Sequence, residues 1–214
     1  MKLIVLFGKP GAGKGTRVSR FLKGREDKWQ TLSTGDMIRQ AIKSGTKLGK
    51  EFQSYTEKGD LVPDELVVEI VEDAVTSIKD KNVILDGFPR NTSQATTMLK
   101  MGLIPHKIVC INATNEEIIQ RLSERIVCEK CGETFSLGPF NPPKQEGICD
   151  KCGGNLVRRR DDEPEVVENR LKVYEKETAA VLNFMSKNGI TVRRIPVELS
   201  SDEKQILFNY MLEN

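Results

Sequence analysis

Apolar positions along the chain change period several times. Leu3-Ile4-Val5-Leu6-Phe7 is a continuous apolar run that stops at Gly8, the pattern of a short strand buried on both faces. Comparable runs lie around Thr31-Leu32, at Val83-Ile84-Leu85, at Ile108–Ile111 and at Val192–Ile195. Between them the apolar residues recur at helical spacing. Val67, Val68, Val71 and Val75 follow Asp64, and Ile118, Ile119 and Leu122 follow Asn115, so Asp64 and Asn115 are the expected helix caps. Trp29 is expected to precede the second strand and pack. Strands alternating with helices predict an α/β fold, a parallel sheet with helices on both faces. Ligands of such sheets bind beyond the carboxyl ends of the strands. Three segments fall there: Gly8–Thr16, Thr34–Arg39 and Asp86–Arg90.

One stretch breaks the alternation. From about Arg125 to Asp162 the chain holds four cysteines, several glycines and three prolines, with little helical periodicity. It reads as a small insertion, after which a helix starts near Pro164, where proline suits the first turn. The cysteines are spaced Cys128-x2-Cys131-x17-Cys149-x2-Cys152. Each C-x-x-C aims two thiolates at one ion, and two such knuckles complete a tetrahedron, so the segment is expected to hold zinc or a similar soft metal. Four sulfur ligands leave no open position, which makes the metal structural. Cys110, inside an apolar run, is expected to be a core thiol.

The 214 residues suit one medium-sized domain with inserted lobes. The 33 basic and 31 acidic residues leave a net charge of +2, which argues against a general nucleic-acid binder or a polybasic membrane anchor. No apolar run reaches membrane-spanning length. The first strand begins at Leu3, which leaves no room for a leader, and the expected location is cytoplasmic.

Strand, glycine loop and helix together are the context of a phosphate-binding loop. Gly8, Gly13 and Lys14 match G-x-x-x-x-G-K-[ST], but Gly15 stands where the hydroxyl is expected and Thr16 comes one place later. Glycines let successive N–H groups wrap a polyphosphate, and a helix N-terminus adds unpaired donors. Arg39, Arg90, Arg125, Arg159 and Arg170 fall near strand ends or beside the insertion, where forked guanidiniums suit phosphate; each alone reads equally as a solvated surface residue. Asp86, after a strand and before Gly87, is a candidate magnesium anchor through water, or else a turn residue. Asp36 is a weaker version of the same idea, or a cap. His106, the single histidine, has no evident partner.

Taken together these segments resemble adenylate kinases. Gly8-Lys9-Pro10-Gly11-Ala12-Gly13-Lys14-Gly15-Thr16 reproduces that family's G-x-P-G-[AS]-G-K-G-T, with Lys9 at a usually small position. Ser33-Thr34-Gly35-Asp36-Met37-Ile38-Arg39, Asp86-Gly87-Phe88-Pro89-Arg90 with Gln94, and Arg159-x-Asp161-Asp162 followed by Arg170 match further family segments. The resemblance implies a three-layer fold of the P-loop NTPase type, with a five-stranded parallel sheet. It implies a core of residues 1–32, 63–123 and 162–214, a helical monophosphate-binding lobe at 33–62 and a zinc-ribbon-like lid at 124–161.

It also implies roles. Gly11, Ala12, Gly13, Lys14, Gly15 and Thr16 would wrap the phosphates of ATP, Arg125 would join them, and Thr134, Phe135 and Leu199 would meet its base. Thr34, Arg39, Asp60, Leu61, Val62, Gly87, Phe88, Pro89, Arg90 and Gln94 would line the AMP site, Gln94 reading the adenine. Arg159 and Arg170 would close over the transferring group, and Asp86 would hold magnesium. ATP, AMP and ADP are the implied partners, with zinc in the lid, no nucleic acid, no membrane and a monomeric chain. The last loop, Pro196-Val197-Glu198-Leu199-Ser200, lacks the glycine the family often has there. Rival readings are a UMP or CMP kinase, a nucleotide-gated zinc-ribbon binding module, and a regulatory ATPase or GTPase. Thr34 and Gln94 favour adenine.

Overall fold

The computed structural model describes residues 2–214. In chain order the elements are β1 (Leu3–Phe7), α1 (Lys14–Leu22), β2 (Trp29–Ser33), α2 (Thr34–Lys43), α3 (Lys47–Thr56), α4 (Asp64–Thr76), β3 (Asn82–Asp86), α5 (Thr92–Lys100), β4 (Lys107–Ile111) and α6 (Asn115–Ser123). There follow β5 (Arg125–Cys128), β6 (Thr134–Ser136), β7 (Leu156–Val157), α7 (Pro164–Val173), a wide turn over Tyr174–Thr178, α8 (Ala179–Lys187), β8 (Val192–Ile195) and α9 (Ser201–Glu213).

The main sheet has five parallel strands in the order β2-β3-β1-β4-β8. The continuous apolar runs are explained by burial on both faces. Leu3, Val5, Phe7, Val83, Leu85, Ile108 and Cys110 point into one core, shared with α2–α5 and α8. Ile4, Leu6, Ile84, Val109 and Ile111 point into a second, shared with α1, α6, α7 and α9. Two cores about one sheet make three layers. β1 is central, flanked by β3 and β4, so the strand order reverses at its carboxyl end and opens a crevice there.

The helix starts differ from expectation by one residue. Thr114, not Asn115, caps α6: its hydroxyl accepts from Glu117 N at 3.2 Å, and Glu117 Oε2 accepts from Thr114 N at 2.9 Å. That reciprocal box outcompetes an asparagine placed one step inside. Pro63 precedes α4, and Asp64 lies in the first turn with its carboxylate turned elsewhere. Ser33 caps α2, so Asp36 is not a cap; it pairs with Arg39. Trp29 opens β2 rather than preceding it, and packs edge-on against Phe21 at 5.3 Å between centroids. α7 does begin at Pro164, Cys110 is buried, and His106 is exposed.

The cysteine-rich insertion is a separate antiparallel sheet, β6-β5-β7, over a core of Ile126, Cys128, Phe135 and Cys149. So few buried residues make a poor core without a further cross-link. Among the described residues no helix is long and apolar enough to cross a membrane.

Candidate active site

The loop after β1 turns through Gly11 and Gly13, with φ of 79° and 88°, into α1. Gly13 caps α1 with no side chain, so the first-turn N–H groups stay open to an anion. Lys14 Nζ folds back on the loop, donating to Gly8 O at 2.8 Å and Lys9 O at 3.2 Å. Burial presses its pKa below the ordinary lysine value, and Asp86 opposes that only in part. Lys9 ties the loop outward to Asn115 and, at 3.3 Å, to Glu175.

Across the crevice, β3 ends in Asp86-Gly87-Phe88-Pro89-Arg90. Gly87 has φ of 89°, and a Cβ there would lie 2.5 Å from Thr34 Oγ1. Thr34 Oγ1 donates to Asp86 O at 3.3 Å. Arg90 is held at both ends: its Nε donates to Gly87 O at 2.8 Å, and its carbonyl accepts from Thr178 Oγ1 at 2.7 Å. Gln94 is buried behind it; its Oε1 accepts from Arg90 N and its Nε2 donates to Asp64, each at 2.8 Å. Asp64, expected as a cap, instead fixes this glutamine. Asp86 Oδ1 is buried with no hydrogen-bond partner among the described residues.

The arginines converge between these two walls. Arg125 forks onto Asp162, with Nε to Oδ2 at 2.7 Å. Arg170 reaches Asp161 at 3.0 Å and Asp162 at 3.5 Å. Arg159 has a buried Nε with no partner among the described residues, and burial together with Arg125 and Arg39 lowers its pKa. The insertion touches the α2–α3 hairpin. Lys43 Nζ donates to Glu129 O at 2.9 Å, and Arg160 pairs with Glu57 at 3.4 Å.

The space between these walls is one half-open cleft of about 1190 Å³. That exceeds the usual ~300–1,000 Å³ of a small-ligand site. Of the residues expected from sequence, Gly11–Thr16, Arg39, Leu61, Val62, Asp86, Gly87, Pro89, Arg90, Arg125, Thr134, Phe135, Arg159, Arg170 and Leu199 line it. Thr34, Phe88 and Gln94 are buried behind the wall, and Asp60 is exposed, accepting from Asn169 at 2.9 Å. Arg17, Glu117, Arg121, Phe140 and Lys204 also line the cavity and were not anticipated. One signal was available: Lys204 shares the four-residue period of Phe208 and Leu212, which puts a lysine on a core face.

The four insertion sulfurs lie within 4.8 Å of one another, with Cys128 and Cys152 3.5 Å apart and Cys131 and Cys149 3.6 Å apart. A tetrahedral zinc with ~2.3 Å bonds needs sulfurs ~3.8 Å apart, so the set fits. N–H groups of Cys131 and then Lys130 turn onto Cys128 and draw its thiol down to about 6, while desolvation and the neighbouring sulfurs hold the Cys131 thiol up, so a metal binding this set must displace a proton from Cys131. The unpartnered Asp86 oxygen, facing Lys14 across the crevice, suits a hydrated magnesium ion.

The adenylate kinase family model matches residues 6–190. An adenylate kinase of Carboxydothermus hydrogenoformans is 45% identical over 195 residues, 89% of each chain. One of Syntrophobacter fumaroxidans is 45% identical over 197 residues, 90% of this chain and 91% of its own. One of Staphylococcus aureus is 45% identical over 192 residues, 87% of this chain and 88% of its own. With a phosphate loop, the turn Asp86–Arg90 and a four-cysteine insertion around one cleft, this chain belongs to the adenylate kinase family.

Proposed function

We infer that the chain catalyses reversible phosphoryl transfer from ATP to AMP, giving two ADP. The observation that carries this reading is the single cavity: a phosphate loop at one wall, the turn Asp86–Arg90 at the other, and Arg39, Arg125, Arg159 and Arg170 between them. Such a transfer needs in-line positioning and charge stabilisation, with little covalent work by the protein. Gly11 to Thr16 hold the ATP phosphates, and Lys14 leaves its loop carbonyls for the outer ones. Leu61, Val62 and Gly87 to Arg90 receive AMP, with Thr34 and Gln94 supporting that wall. Arg125, Arg159 and Arg170 surround the moving group.

Water is as able a nucleophile as AMP, so the site must exclude it until both substrates are bound. Residues 124–161 act as a lid over ATP and residues 33–62 as a lobe over AMP; the Lys43 and Arg160 contacts support their meeting in the closed state. Asp86, through water, would hold magnesium, which would supply charge neutralisation at the phosphates. Cys128, Cys131, Cys149 and Cys152 would hold zinc, which would keep the lid rigid. The chain works as a cytoplasmic monomer.

ADP formation from ATP plus AMP, with and without magnesium, tests the reading in wild type and in Lys14→Met. Activity that requires magnesium and collapses in Lys14→Met is expected. Full activity in the variant overturns the role of the lysine, and equal rates with UMP or CMP as acceptor overturn the assignment to AMP.

A further inference from the structure

The phosphate loop carries a second lysine, Lys9, whose side chain does not line the cleft. It runs the other way. Its ammonium donates to Asn115 Oδ1 in the first turn of α6 and, at 3.3 Å, to Glu175 in the wide turn that follows α7. Gly11 leans on the same α6, where a Cβ added to the glycine would lie 2.8 Å from Leu122 Cγ. The carbonyl of Lys9 faces the loop itself. It accepts from Ala12 N at 3.1 Å, which closes the turn, and from Lys14 Nζ at 3.2 Å. One residue thus joins an anchor outside the cleft to the resting place of the lysine inside it.

Half of the residues from Gly8 to Gly15 are glycines, so the loop has many backbone shapes open to it, and ordering it around a polyphosphate costs conformational entropy. A contact that holds the binding shape beforehand lowers that cost. The two anchors are unequal. The side chain of Lys9 is 22% exposed and that of Glu175 is 56% exposed, so their ion pair is a surface pair of little worth. Asn115 is half-buried and accepts from a charged donor, a bond worth about tenfold or more in an equilibrium constant. The same wide turn also holds the opposite wall, through Thr178 Oγ1 on the carbonyl of Arg90 at 2.7 Å, and that tie does not pass through Lys9.

We propose that Lys9, anchored chiefly on Asn115, is a positioning residue for the donor nucleotide: it holds the phosphate loop, and with it the carbonyl on which Lys14 rests, in the shape that receives the phosphates of ATP. Lys9 itself touches no phosphate and acts through the loop backbone. The proposal rests on the assignment of this loop to ATP given above and adds the device that shapes it.

Steady-state kinetics, with calorimetric titration by ATP and by AMP separately, test it in wild type, Lys9→Met, Lys9→Arg and Asn115→Ala. Methionine keeps the stem and removes the ammonium; arginine restores a cationic donor. Lys9→Met is expected to weaken ATP binding and raise the KM for ATP by about threefold or more, a part of the tenfold that the anchoring bond is worth. The KM for AMP and kcat are expected within about twofold of wild type, because the Arg90 wall keeps its own tie and a contact made equally before and during transfer changes KM alone. Lys9→Arg recovers ATP binding, and Asn115→Ala, which leaves the loop sequence intact, reproduces the methionine variant. A folded Lys9→Met whose KM for ATP rises by less than about threefold overturns the proposal. So does an equal rise for AMP, a loss confined to kcat, or arginine no better than methionine. A lowered melting temperature with both KM values unchanged makes Lys9 a residue of stability alone and overturns it too. Should Lys9→Met fail to fold, Asn115→Ala decides by the same criteria. Wild type that makes no ADP from ATP and AMP would instead sink the underlying reading, while an active enzyme indifferent to Lys9 sinks this inference alone.

Discussion

Replacing Asp162 by alanine removes the carboxylate that holds two cations. Its side chain is 5% exposed and that of Arg125 is 15% exposed. Arg125 loses both arms of its fork, and Arg170 loses its longer contact at 3.5 Å. Removing one partner of a buried pair costs about 3–5 kcal/mol, because the other charge is left uncompensated. Two features favour the lower end of that range. Some water reaches Arg125, and Arg170 keeps Asp161 at 3.0 Å. The loss is therefore about 3 kcal/mol, which for a chain of this size lowers the melting temperature by about 6–12 °C. The assay is calorimetric melting of both proteins, alone and with a bisubstrate mimic in which five phosphates join two adenosines. Phosphate oxygens should supply the missing negative charge, so the gap between variant and wild type should shrink by at least half in the complex. A deficit of the same size with and without the mimic would refute the reasoning. So would a free variant that melts within about 2 °C of wild type.

Three further outcomes are expected. Stripping metal from the four cysteines should lower the melting temperature while leaving turnover at low temperature nearly intact, since the insertion has only a four-residue core of its own; loss of turnover with an unchanged melting curve contradicts a structural metal. Gly87→Ala puts a Cβ 2.5 Å from Thr34 Oγ1 at a left-handed φ, which costs at least about 1–2 kcal/mol and should raise the KM for AMP more than that for ATP; a stable variant with a normal KM for AMP rejects that placement of AMP. Lys14 has its pKa lowered by burial in the free protein, and bound phosphates push it back up, so binding takes up a proton wherever free Lys14 has begun to lose one. Affinity should therefore fall as pH rises through the lowered pKa, and titrations in buffers of different ionisation heat should show an uptake that Lys14→Met abolishes.

What could be read from the sequence was whatever is contiguous. The three central strands β1, β3 and β4 announced themselves because burial on both faces forbids polar residues inside them; the edge strands β2 and β8 were fainter, since only Trp29 and Ile195 respectively are buried in them. The phosphate loop, the turn Asp86–Arg90 and the cysteine knuckles were legible because each is a local backbone device with fixed residue types. The caps of α4 and α6 were misplaced by one residue, because an Asp or Asn beside a proline or threonine does not reveal which of the two starts the helix. The pocket end built by Arg17, Arg121 and Lys204 was not foreseen at all. Those residues come from α1, α6 and α9, and only the packing of the second core brings them together.

The same packing explains how a cleft this cationic holds together without substrate. Arg39, Arg125 and Arg170 are each neutralised by an internal carboxylate, from Asp36, Asp162 and Asp161 respectively. Lys14 and Arg90 lean instead on backbone carbonyls, and Arg159 keeps an unpartnered Nε. Phosphates entering the cleft meet this second group first, because nothing charged has to be displaced. The paired arginines bind phosphate only by exchange, so their gain is a difference between two charge-assisted contacts. An incomplete set of phosphates can satisfy the unpaired cations, yet it offers too little charge to draw the arginines from their aspartates. Full engagement then requires both nucleotides, the condition under which transfer to AMP outruns transfer to water.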